Sequence, residues 1–322
     1  MKDAELIPVT IKAITENGCG NLLLQLIAQQ TYSLPKYSAG AHIDLYIPEI
    51  GPRQYSLCSE ENRGDYYEIC VKLAENSSGG SHHIHHHIKP GASLTISAPR
   101  NHFPLPEAKR YLLLAGGIGI TPLLAMAEEI AAVGGEFELH YYVATALQIA
   151  FLPRLRKAAL ADHVFLHYSD ANDSLRNKTP PSLTQPDPQT QVMACGPHGF
   201  IQRLQTIMQQ HNWQPEQLHF ERFSNPELTN QTGNSEFHIA LNSTGQRFLV
   251  RPHQTIAEVL LRAKVDIMLS CEQGICGSCI TDVISGIPDH RDCVLTDEEK
   301  AENTQITVCC SRAKTSLLVL DL

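Results

Sequence analysis

The chain has 322 residues, enough for two to three domains with their own cores and far beyond a disulfide-stapled peptide scaffold. Hydrophobic residues make up 43% and charged residues 18%, which excludes a disordered or collagen-like chain. A formal charge of −9, from 25 basic and 34 acidic residues, argues against nucleic acid or membrane lipid as a main partner, because both need clustered positive charge.

No apolar run follows Lys2, so no secretory signal is visible, and the ten cysteines are expected as thiols or metal ligands in a reducing, cytoplasmic setting. Up to about Pro106 the sequence reads as short alternating segments (VTIKAI, NLLLQLIAQQ, AHIDLYI, YYEICVKLA, SLTISAP), the pattern of a small antiparallel barrel or sandwich. Within it, Arg53-Gln-Tyr55-Ser56 offers a bidentate phosphate anchor, a ring to pack on a flat ligand, and a hydroxyl, a set that suits a flavin. Gly79-Gly80-Ser81 then opens a helical stretch, with Ser81 expected as N-cap, and free N–H groups at such a start hold phosphate. The histidines at 82, 83, 85, 86 and 87 read as a solvated helix face with one or two packed rings.

From Arg110 onward apolar strands alternate with helical stretches, which predicts a parallel α/β sheet. The longest apolar stretch, 111–127, is broken by Gly116, Gly117, Gly119 and Pro122 and is too short to span a membrane. Gly116-Gly117-Ile-Gly119-Ile-Thr121-Pro122 and Cys195-Gly196-Pro197 both follow strands and open helices, so two close-approach turns align at the carboxyl edge of one sheet, where a nicotinamide dinucleotide is the economical ligand. Cys195 lacks the partners of a nucleophile and reads as a pocket residue. The proline-rich segment 178–190 reads as a surface loop, and 224–236 as a linker.

The most specific signal is Cys271-x4-Cys276-x2-Cys279, followed after 29 intervening residues by Cys309, the spacing of plant-type [2Fe-2S] proteins. Gly274, Gly277 and Ser278 let backbone N–H groups approach the sulfides, and the fourth ligand is expected from a separate strand. A zinc site, the alternative, usually presents two C-x2-C knuckles. Cys310 competes with Cys309, but neighbours on a strand face opposite ways and the usual spacing favours Cys309; Cys293 reads as a buried thiol.

Taken in order, RQYSL, GGS, GGIGITP, ACGP, CEQGICGSC, DHRD and VCCSRAK resemble the phthalate dioxygenase reductase family, the class IA Rieske-oxygenase reductases, over essentially the whole chain. The resemblance implies three domains: a flavin barrel at 1–106, an NAD-binding α/β domain of ferredoxin-reductase type at 107–228, and a β-grasp plant-type ferredoxin at 229–322. It implies that Arg53, Tyr55 and Ser56 hold FMN, that Gly80 and Ser81 flank its phosphate, and that Phe223 closes over the flavin. Gly117, Thr121, Cys195, Gly196 and Pro197 would line the nicotinamide side. One departure is that no basic residue lies between Phe137 and Pro153, where the family often places an arginine; this favours NADH over NADPH.

With these three cofactors the chain is an adapter, because nicotinamide gives an electron pair, the cluster carries one electron, and a flavin converts between them. No residue is expected as an acid or base catalyst. The expected path runs from NADH through FMN and [2Fe-2S] to a Rieske-type terminal oxygenase, from a monomer, with reduction of a small-molecule acceptor and a zinc-bearing scaffold as the rivals. Residues 230–322 hold 8 basic and 12 acidic side chains, so an acidic docking patch at Glu272 and 289–292 is expected.

Overall fold

The computed structural model describes residues 6–60, 65–74, 79–223, 225 and 234–322, so most of the expected linker at 224–236 lies outside the described residues. The chain divides into two compact units, Met1–Phe223 and Ser224–Leu322.

Alternation builds the first sheet of the first unit. In β1 (Ile7–Glu16), Ile7, Val9 and Ile11 point inward and are buried while their neighbours are not. β2 (Asn21–Ala28), β3 (His42–Ile47), β4 (Gly51–Ser56), β5 (Tyr67–Lys72) and β6 (Ser93–Ile96) join it in the order β4-β3-β6-β1-β2-β5, every pair antiparallel. A bridge between Leu57 and Ile69 ties the two edges, β4 and β5, and closes the expected barrel around Leu24, Ile43, Leu45, Ile69 and Ile96. Helix α1 (Gly80–His87) lies between β5 and β6 in the chain and buries only Gly80 and Ile84.

The second sheet comprises β7 (Arg110–Gly116), β8 (Glu136–Val143), β9 (Val164–Tyr168), β10 (Thr190–Cys195) and β11 (Leu218–Glu221), in the order β11-β10-β7-β8-β9, with all pairs parallel as expected. Helix α2 (Ile120–Ala132) is apolar nearly all round and buried. The stretch after β8 forms two single turns, α3 (Leu152–Leu155) and α4 (Ala158–Ala161), because Lys157 between them is extended. Segment 178–190 is more than a surface loop: Leu183 is fully buried and its carbonyl accepts a hydrogen bond from Trp213 Nε1 at 2.9 Å. The main helix on that face is α5 (His198–Gln210).

Arg154 joins barrel to sheet. It is 8% exposed, donates to the Cys58 carbonyl at 2.6 Å and forks onto Glu128 at 2.9 and 2.5 Å. Burial raises the Glu128 pKa, and the guanidinium opposes that rise, so this arginine is held by structure and is not available to a ligand.

In the second unit, β12 (Phe237–Leu241), β13 (Arg247–Val250), β14 (Ile280–Ser285), β16 (Gln305–Thr307) and β18 (Leu317–Leu320) form a mixed sheet in the order β13-β12-β18-β14-β16, and β15 (Pro288–Asp289) pairs with β17 (Arg312–Ala313). Helix α6 (Ile256–Arg262) starts in a Thr255–Glu258 capping box and buries Ile256, Ala257, Val259 and Leu260, and α7 (Asp297–Glu302) starts in a Thr296–Glu299 box. This is the expected β-grasp.

Candidate functional site

The RQYS residues lie on β4, but the pleat divides them. The register pairs Leu45 with Arg53, Ile43 with Tyr55 and His42 with Ser56, so Arg53 and Tyr55 share a face with the core residues of β3 while Ser56 shares the other with His42. Burial pushes the Tyr55 phenol well above its ordinary value. Ser56 Oγ and His42 Nδ1 are both buried and have no hydrogen-bond partner among the described residues. Two orphaned polar atoms side by side on a barrel strand mark a place for a ligand's own donors and acceptors. His42 had no sequence signal beyond an ordinary strand histidine.

Gly80 opens α1 directly against Arg53: a Cβ on it would come within 2.9 Å of Arg53 Cγ. Ser81 is not the N-cap. Gly79, at φ 100°, takes that position because the chain must turn through the left-handed region there, and the Ser81 hydroxyl accepts from the Ala74 N–H at 3.2 Å. An arginine beside the N–H groups of a helix start is a phosphate cradle. The five histidines of α1 form an exposed to half-buried face, with His85 tied to the Val71 carbonyl at 2.9 Å.

The two glycine turns of the parallel sheet pack on each other. β7 and β10 are neighbours, and a Cβ on Gly119 would stand 2.1 Å from the Cys195 carbonyl oxygen. A Cβ on Gly196 would come 3.1 Å from Gly116 Cα. Beside this junction is a cavity of about 480 Å³ lined by Gly116, Gly117, Pro197, Phe200, Tyr142, Ser169, Ser174, Arg176 and Arg203, among others. Gly117 and Pro197 thus reach the cavity directly, whereas Thr121, 2% exposed and bonded to the Ile118 carbonyl, and Cys195, fully buried, sit behind them. Cations do reach this edge: Arg176 and Arg203 arrive from segments after β9 and on α5, distant in sequence from the stretch 137–153 that carries no arginine.

Burial drives the Cys195 thiol far above its usual pKa, and the Glu221 charge adds to the rise, so it is no thiolate nucleophile. Glu221, opposite Cys195 in the β10–β11 register, is itself pushed up to about 8 by burial, and its Oε2 has no partner among the described residues. Phe223 packs, half-buried, against the core that includes Cys58, Cys70 and Ala115.

In the second unit Cys276 shares a thiol hydrogen bond with Cys271, and Cys309 shares one with Cys279 and another with Cys310. Among the described residues no three histidine, cysteine or carboxylate side chains gather within reach of one metal ion. Two separate thiol groups, one with Cys271 and Cys276 and the other with Cys279 and Cys309, match two irons better than one tetrahedral zinc. Gly274 and Gly277 take φ 68° and 75°, and the Gln273 N–H already donates to Cys271 Sγ at 3.3 Å.

Cys309 and Cys310 lie in the turn after β16, not on a strand, so strand alternation does not separate them. What separates them is their surroundings. Cys310 Sγ bonds Thr307 Oγ1 at 3.2 Å and fills the space where a Cβ on Gly274 would stand, 2.4 Å away. Cys293 is half-buried, with its N–H on the Gly274 carbonyl at 2.9 Å. The expected acidic patch shrinks: Asp292 is 1% exposed and accepts from the N–H groups of Val294 and Leu295, and Asp289 is paired with Arg291 at 2.7 Å, which leaves Glu272 exposed.

A family model described as a 2Fe-2S iron-sulfur cluster binding domain matches residues 239–314. Vanillate O-demethylase oxidoreductase of Pseudomonas putida is 46% identical over 292 residues, 90% of this chain and 92% of that protein. Phthalate dioxygenase reductase of Burkholderia cepacia is 37% identical over 300 residues, 92% of each. The solved structure of phthalate dioxygenase reductase, described as modular for electron transfer from pyridine nucleotides to [2Fe-2S], aligns over 98% of both chains with a TM-score of 0.79 at 35% identity.

Proposed function

The chain belongs to the family of oxygenase reductases that includes vanillate O-demethylase oxidoreductase and phthalate dioxygenase reductase, and from that premise we propose that it passes electrons from NADH through FMN and a [2Fe-2S] cluster to a Rieske-type terminal oxygenase. The observation that carries this reading is that one chain holds both the cavity at the glycine junction and the paired cysteines. When bound, the flavin supplies the change from electron pairs to single electrons and the cluster supplies their onward delivery.

The chain's own residues then divide the work. Arg53 and the N–H groups at Gly80 and Ser81 meet a terminal phosphate, Tyr55 packs on the flavin, and the Ser56 hydroxyl and His42 ring satisfy polar atoms at its edge. Gly117 and Pro197 admit the dinucleotide to the sheet edge, with Thr121, Cys195 and Gly196 shaping the floor beneath the nicotinamide and Phe223 covering the flavin. Arg176 and Arg203 meet the pyrophosphate. Asp170, exposed next to the cavity residue Ser169, disfavours a 2′-phosphate, which supports NADH over NADPH. Cys271, Cys276, Cys279 and Cys309 would hold the two irons, whose single-electron chemistry the cluster supplies when bound. Glu272, exposed on the cluster loop, is the acid proposed to face a basic partner surface.

The helix-start cradle beside Arg53 can satisfy a terminal monophosphate, which supports FMN over FAD. Mass spectrometry of the cofactor released by heating is expected to return FMN, and Arg53→Ala is expected to lower flavin occupancy; recovery of FAD would overturn the assignment.

A further inference from the structure

The face of the parallel sheet that packs on α5 carries a row of polar groups that the electron path does not use. Glu138, His140 and Tyr142 alternate along β8, His167 faces them from β9, and Asp173 follows in the next loop. The row is continuous. Glu138 Oε2 lies 3.0 Å from His140 Nε2, His140 Nδ1 lies 3.0 Å from His167 Nε2, and His167 Nδ1 lies 3.0 Å from Asp173 Oδ2. Arg110 and Ser182 face Glu138, Lys178 stands 3.6 Å from Asp173, Phe165 stacks on His140, and Tyr142 stacks on His167 at 4.2 Å and 11°.

Counting protons decides the charge. Each of the three gaps needs one hydrogen, and both ends are carboxylates that only accept. The four ring nitrogens must therefore hold three protons among them, which is one positive charge shared by the pair. With two protons, one gap sets lone pair against lone pair. The Glu138 end is firmly ionised, because the His140 hydrogen bond holds its pKa down at about 2. The Asp173 end is where the consequence lies, because Ser169, Ser174, Leu175 and Arg176, on either side of Asp173, line the cavity, as does Tyr142.

We propose that the His140–His167 pair, sharing one positive charge, is a positioning latch that fixes the loop from Ser169 to Arg176 against the sheet and so makes dinucleotide affinity depend on pH. The inference rests on the nucleotide reading of the cavity and deepens it. Burial pushes His167 toward deprotonation against the pull of Asp173, so the third proton is given up as pH rises, and the latch is complete on the acid side. Asp173→Asn supplies the missing hydrogen from its amide, so two ring protons then fill all three gaps at any pH.

The test is calorimetric titration of the flavin-loaded protein with ADP-ribose, whose pyrophosphate does not titrate between about pH 5.5 and about pH 8.5. Wild-type affinity is expected to fall about tenfold across that range, the loss of roughly one charge-assisted hydrogen bond, while Asp173→Asn stays flat. A pH-independent wild type, or an Asp173→Asn variant with the wild-type slope, would overturn the latch. Absence of ADP-ribose binding at every pH would overturn the nucleotide reading, and the latch with it. Nitrogen-15 NMR of the wild-type imidazoles gives a second reading that needs no variant: three protonated ring nitrogens in the pair at acid pH support it, and two contradict it.

Discussion

Replacing Cys309 by serine is expected to abolish the iron–sulfur absorbance, while Cys310→Ser leaves it nearly intact. The two thiols are adjacent and both buried, so burial does not decide between them. Partners do. The two bond each other, but Cys309 also bonds Cys279, as Cys276 does Cys271, whereas Cys310 is also held by Thr307 and wedged under Gly274. A serine at 309 leaves one iron with a single thiolate, and the cluster does not assemble stably. At 310 serine keeps a hydrogen-bonding group beside Thr307 and loses only a sulfur's bulk. Iron and acid-labile sulfide analysis of the two purified variants checks this; a colourless Cys310→Ser protein beside a coloured Cys309→Ser protein would reverse the assignment.

How far the sequence could be read follows from where each part is encoded. The cluster loop was legible because three of its ligands lie within nine residues, and spacing on one loop is geometry. The barrel and the parallel sheet were legible because periods of two and 3.6 residues report which face is buried. The dinucleotide cavity was only half legible. Its glycine turns are local motifs, but Arg176, Arg203, Tyr142 and Ser169 reach it from separate segments that only the strand order brings together. Ser81 is not the cap because Gly79 at φ 100° places the helix start two residues before the expected one. His42 was missed because its significance is an unpartnered nitrogen opposite Ser56, which depends on register. The series from Glu138 to Asp173 was invisible for the same reason, since it crosses two strands and a loop.

Gly119→Ala is expected to lower NADH-dependent turnover by about a hundredfold, the cost of displacing reacting groups by about an ångström. The added methyl would stand 2.1 Å from the Cys195 carbonyl oxygen and 2.4 Å from its carbon, and backbone atoms in adjacent strand ends cannot swing away as a side chain can. The two turns must separate, and they form the edge of the cavity. Gly134→Ala is the control. That glycine sits past the other end of α2, at φ 70° with nothing within 4 Å, so the variant should lose roughly 1 kcal/mol of stability through backbone strain and keep its nucleotide reaction. Flavin and iron content, with reduction of the cluster by dithionite, confirm that each variant is folded. A Gly119→Ala enzyme with wild-type kcat/KM would mean that the junction of the two turns does not shape the nucleotide site.

One chain is proposed to relay electrons from a nucleotide at the sheet edge to the four cluster cysteines. Anaerobic rapid mixing of the purified protein with NADH, following flavin bleaching and the electron paramagnetic resonance of the reduced cluster, tests it most directly. Bleaching is expected first and the [2Fe-2S] signal second, with both slowed about a hundredfold in Gly119→Ala and only the second lost in Cys309→Ser. A flavin that bleaches while an intact cluster stays oxidised, or a protein that carries zinc in place of iron, would contradict it.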